Sequence, residues 1–215
     1  PLDPEAPRPA AALARPWPPR ELAPGLAPPR EAGLWAAGAW TWARIGAERF
    51  RPAPLGAAIV RPGQGLLIAA PAALPGRALA GAVLAVPAAG LAGALAAFLA
   101  FGRGRQEPHA NASDRILAAG RGGARAALLY PGEPAPEAWW SLDLAAWWLK
   151  ETLSPLVLGL LWRAPGTDPS GLAGLFPPAG PDAREGLRQL MLGAAELGLV
   201  APETPARLAP ACWRG

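Results

Sequence analysis

From Ala78 to Phe101 the chain runs for about 24 residues without a charged or strongly polar side chain, bracketed by Arg77 and Arg103. Built as a helix rising ~1.5 Å per residue, such a stretch extends about 36 Å, enough to cross a hydrocarbon layer of ~30 Å with some tilt. Its Leu, Val and Phe residues each favour insertion by roughly 0.3 to 0.6 kcal/mol, while Ala is near neutral and Gly and Pro oppose it. The expectation is one transmembrane helix over 78–101.

The rest of the chain is punctuated by 29 prolines and 26 glycines in 215 residues, which interrupt regular structure repeatedly. The apolar content is mostly Ala and Leu, with few β-branched residues, and these favour helix over strand. The expected class is all-α, with one transmembrane helix, short amphipathic or interfacial helices and long Pro/Gly-rich loops. Residues 1–30 read as an extended Pro-rich arm, with Pro1, Pro4 and Pro7 at polyproline spacing. Residues 31–77 read as a Trp-containing helix ended by Pro52 and Pro54, then an interfacial or re-entrant segment. The span at 78–101 is followed by an Arg/Gly-rich loop over 102–136 and a small helical region over 137–215. Within that region Leu142, Ala145, Leu149 and Leu153 align on one helical stripe. Ser154-Pro155 reads as the start of a further short helix, and Asp182 to Glu185 has capping-box spacing ahead of Leu187, Leu190, Met191 and Ala194.

Three groups of side chains are candidates for binding. On the 78–101 wheel Ala82, Ala85, Ala89, Gly93 and Ala96 gather on one side, and small residues are where helices in lipid pack closely, so this face is expected to meet a partner helix. Ten Trp residues are present, and Trp139, Trp140, Trp147, Trp148 and Trp162 are expected at an interface, where an apolar ring with one N–H donor is most at home. Arg103, Arg105, Arg115, Arg121 and Arg125 follow the span, placing the C-terminal part on the cytoplasmic, stromal or matrix side against anionic lipid. A net charge of +4 and an isoelectric point near 10.5 agree with an anionic partner. Gly120 to Arg125 resembles an Arg/Gly segment of the kind that binds RNA.

Catalytic motifs are missing. The only histidine, His109, and the only cysteine, Cys212, form no metal-ligand pattern and allow no internal disulfide. No Ser lies in a nucleophile elbow, and no phosphate-binding loop occurs. The expected function is that of a non-catalytic accessory subunit in a larger membrane complex, photosynthetic or respiratory, in a thylakoid, mitochondrial inner or bacterial inner membrane. Its expected partners are other membrane-protein subunits and lipids rather than nucleic acid. Bound lipid or pigment is compatible with this reading, and no covalent or metal cofactor is expected. The alternatives are a membrane-anchored adaptor and an RNA-binding protein.

Overall fold

Val83 and Val86 flank Leu84 and Ala85 just ahead of Pro87, and these five residues form a strand, not the middle of a long helix. The computed structural model describes residues 28, 32–74, 81–88, 92–102, 104–209 and 212, so the Pro-rich arm, apart from Pro28, lies outside the described residues. The elements in chain order are β1 (Leu34–Gly38), α1 (Ala39–Ile45), β2 (Arg51–Val60), β3 (Leu67–Ala70), β4 (Val83–Pro87), α2 (Ala92–Phe101), β5 (Arg105–His109), α3 (Ala112–Gly120), β6 (Ala126–Leu129), β7 (Trp140–Asp143), α4 (Leu144–Thr152), β8 (Leu156–Arg163) and α5 (Pro181–Glu196). The fold is therefore mixed α/β with two sheets, which corrects the all-α expectation. Among the described residues no helix is long and apolar enough to cross a membrane, so the transmembrane span and the integral-membrane placement are withdrawn.

The reason lies in Pro87 and Gly81. A proline inside a helix removes one hydrogen bond and clashes with the preceding turn, at about 3 kcal/mol. Gly81 adopts φ 77°, a left-handed conformation that turns the chain into β4. Within the run, Ala85, Val86, Pro87 and residues 93–97 are buried by protein.

By its internal contacts the chain divides into two units, one of residues 60–155 and one combining residues 1–59 with 156–215. The 60–155 unit holds a five-stranded sheet in the order β5-β4-β6-β3-β7. β4 is parallel to both β5 and β6, whereas β3 is antiparallel to β6 and β7. β4 to β5 crosses over through α2, and β5 to β6 returns through α3. The two crossovers run in opposite directions along the sheet, so their common right-handedness puts the helices on opposite faces. Accordingly, Ala119 of α3 packs with Ala69, Ala127 and Leu129 on one face. On the other face Gly93 of α2 lies against Leu128 and Tyr130. All four residues of β6 are buried, as befits a strand covered on both sides. Pro108 sits on β5, at the sheet edge, where a missing N–H is tolerated.

Gly93 has a specific packing role. A Cβ at this position would lie 2.7 Å from the Tyr130 hydroxyl oxygen, closer than van der Waals contact allows. Gly93→Ala should therefore destabilise the protein by about 1 to 3 kcal/mol, the usual range for overpacking, despite alanine's better helix propensity. Urea denaturation measures this, and a stabilised Gly93→Ala variant would mean that α2 does not pack against Tyr130.

The other unit contains a three-stranded sheet in the order β1-β8-β2, with β1 antiparallel to β8. β8 is an unbroken apolar run ending in Arg163, buried at every position, and lies between the other two strands. Pro52 and Pro54 belong to the edge strand β2, where the outer rim is partly covered: the Gly56 amide donates to the Pro177 carbonyl and the Ala179 amide to the Pro54 carbonyl. α5 buries Leu187, Leu190, Met191 and Ala194, the residues spaced for one helical face, and its first residue is Pro181, following Gly180. The core beside β8 includes Trp42 and Trp162, whose rings stack at 4.3 Å with 2° between their planes.

Candidate functional site

In an open sheet, ligands collect outside the carboxyl ends of parallel strands, where neighbouring connections diverge to opposite faces. β4 and β5 meet that description, since β4 leads to α2 and β5 to α3. Their register ends at Pro87 opposite His109, and the Ala88 amide donating to the His109 carbonyl at 2.9 Å extends the pairing by one bond.

Side chains alternate along a strand, so Glu107 and His109 share one face of β5. Their partners in register, Ala85 and Pro87, place that face on the α3 side, because Ala85 is also opposite Ala127 of the α3-covered surface. The Nε2 of His109 is sealed from solvent and has no hydrogen-bond partner among the described residues. It lies 3.7 Å from Glu107 Oε1, too long for a hydrogen bond. The His109 side chain is 18% exposed and that of Glu107 43%, so the pair borders the surface. Just beyond it Asn111 caps α3: its Oδ1 accepts from the Asp114 amide at 2.9 Å and its Nδ2 donates to Asp114 Oδ2 at 2.9 Å. Together these groups give one imidazole nitrogen with an unmade bond, one carboxylate beside it, and a helix start whose positive end is already answered by Asp114.

The side chains singled out from sequence are spread among different environments. Arg105, Arg121 and Arg125 are exposed, Arg103 lies outside the described residues, and Arg115 is buried with its guanidinium donating to Glu133. Arg115 is thus an internal strut, not a lipid contact, because the face of α3 it occupies packs inward. Trp139 and Trp140 are half-buried, and Trp147 stands beside Phe101 with ring centroids 5.5 Å apart. Trp148 and Trp162 are core residues, which corrects their interfacial placement. Of the small-residue face, Ala89 is outside the described residues, Ala82 and Ala85 belong to the approach to β4 and to β4 itself, and Gly93 and Ala96 are buried on α2. Among the described residues Ala82, Ala85, Gly93 and Ala96 share no one helix face, since Ala85 lies on a strand and Gly93 and Ala96 on α2.

A shallow open groove lies at the other end of the β4–β5 pair, lined by Ile68, Leu84, Phe98, Phe101 and Gln106 among others. Its polar group, Gln106, already donates to the Ala94 carbonyl at 3.3 Å, which leaves little to orient a ligand there. Among the described residues no three His, Cys, Asp or Glu side chains gather closely enough to hold a metal ion. The pairing of Glu107 with His109 is legible only from β5: an i, i+2 spacing shares a face on a strand, and the loop expected over 102–136 has no such faces.

No protein-family profile matches the chain, and no curated protein matches it. Among solved structures, protein AF1704 from Archaeoglobus fulgidus is similar in fold, with a TM-score of 0.51 and 23% identity over 83% of this chain. The match spans 64% of the archaeal chain, and at this identity the likeness is one of fold alone.

Proposed function

We propose that the chain is a non-catalytic binding protein that seats a small hydroxyl- or amine-bearing molecule at the carboxyl ends of β4 and β5. The observation that carries this reading is the buried, unpartnered Nε2 of His109, 3.7 Å from the Glu107 carboxylate. Leaving a buried polar atom without a partner costs roughly 1 to 3 kcal/mol, which a ligand group recovers on binding. A hydroxyl or ammonium about 2.8 Å from each atom bridges the two. A hydroxyl does so whichever imidazole nitrogen carries the proton, since it both accepts and donates. Glu107 and Asp114 disfavour an anion in the same place. The accessory-subunit role expected from the sequence survives here only as binding without catalysis, since its membrane span is gone.

With one histidine in the chain, imidazole NMR gives a single signal to follow. Neutral sugars or amino alcohols should shift the His109 resonance, and His109→Phe should weaken the same binding at least about tenfold, the equivalent of one lost hydrogen bond to a charged or buried partner. A resonance unmoved by these compounds, or moved by inorganic phosphate alone, contradicts the proposal.

A further inference from the structure

The last residue of β8 is a charged one whose stem is buried. Arg163 is only 8% exposed, its Nε is sealed from solvent without a partner, and no hydrogen bond or ion pair to its guanidinium forms among the described residues. It shares a face of β8 with Leu161, which packs against Leu55 and Phe176, so its stem lies on apolar surface. The stem and Nε are buried, while the two terminal nitrogens, which carry four of the five N–H groups, are not sealed from solvent and stay open to a ligand at the end of the strand.

The nearby carboxylate does not take those donors. Asp168 follows β8 on an exposed turn, and both its oxygens are occupied by Ser170, the amide at 2.9 Å and the hydroxyl at 2.7 Å. Those two bonds, and to a lesser degree the charge of Arg163, hold the Asp168 carboxyl below its ordinary range. Asp168 therefore tempers the field of Arg163 while leaving its N–H groups open.

We propose that Arg163 anchors a binding site for a small oxyanion, a phosphate or carboxylate group carried by a ligand of the β1-β8-β2 unit. The planar guanidinium matches such groups with parallel hydrogen bonds, whereas a lone chloride meets only its charge. The site belongs to the other unit of the chain from the His109 seat and binds the opposite chemistry, so the two stand or fall separately.

The test is thermal unfolding of the full chain in sodium chloride, sodium phosphate and sodium acetate at matched ionic strength. Phosphate or acetate should raise the midpoint by at least about 2 °C over chloride, and whichever acts identifies the group. Arg163→Met should lose that response while unfolding in chloride no earlier than the parent, because the stem is replaced by an apolar chain and the sealed, unpartnered Nε is removed. Asp168→Asn, on an exposed turn and still able to accept from Ser170, should give a larger anion response than the parent. Equal midpoints in the three salts overturn the site. An undiminished response in Arg163→Met, the mark of a general salt effect, overturns it too. Should Arg163→Met fail to fold, Asp168→Asn decides, and a response equal to the parent's rejects the site.

Discussion

Trp162→Ala should lower stability by about 3 to 5 kcal/mol, the range for removing a large aromatic from a close-packed core. The ring is fully buried on β8, stacked on Trp42, and its Nε1 donates to the Ala37 carbonyl of β1 at 3.1 Å. Trp42 is tied in the same manner, its Nε1 donating to the Phe50 carbonyl at 3.1 Å. Truncation at 162 therefore opens a cavity, strips the stacking partner from Trp42 and removes the indole bond to Ala37 in one stroke. Against a typical total of about 5 to 15 kcal/mol, that loss removes much of what holds this unit together. Leu153→Ala provides the contrast: Leu153 is 88% exposed, and its removal should change stability by less than about 0.5 kcal/mol. Denaturant unfolding of both variants settles the comparison, and a mild Trp162→Ala would place this ring at a surface after all.

Glu133→Ala should be nearly as damaging, at about 3 to 5 kcal/mol, because it strands a buried charge. Arg115 is 2% exposed, and Glu133 Oε2 accepts from its Nη2 and from the Tyr130 amide, the latter at 2.8 Å. One carboxylate thus ties α3 to the turn that follows β6. Arg115→Met removes the charge and fills the space with a flexible apolar chain, leaving Glu133 partly in contact with water. Its cost should be no more than about half that of Glu133→Ala. The Glu133→Ala/Arg115→Met double variant should be more stable than Glu133→Ala alone, a sign of coupling that independent sites would not give. Urea titrations of the three proteins measure it, and additive losses would show that Arg115 and Glu133 do not interact.

What the sequence disclosed and what it hid follow from periodicity. Leu187, Leu190, Met191 and Ala194 recur at helical spacing, and α5 buries that face. Leu156 to Trp162 is apolar at every position, and such a run has no period to separate a short buried helix from a central strand, so the expected short helix is in fact β8. Trp42 and Trp162 meet although they stand far apart in the sequence, a contact no local pattern announces. The Ala-rich strands were hidden by composition: Ala69, Ala85 and Ala127 carry little strand propensity, and their value lies in sharing a face that α3 covers closely. Pro87 was the readable warning inside the apolar run, since a proline ends a strand more cheaply than it bends a helix. For the candidate site, Glu107 and His109 needed only the assignment of β5 as a strand to appear side by side.

Everything proposed for the 60–155 unit depends on Val83–Pro87 being a strand paired with Arg105–His109, because without that pair the carboxyl-end seat does not exist. Backbone chemical shifts of the isotope-labelled chain report this directly. Extended shifts are expected for Val83–Pro87 and helical shifts for Ala92–Phe101, with cross-strand contacts between Leu84 and Gln106. Helical shifts running without a break from Val83 to Phe101 would contradict the fold and restore the long apolar helix.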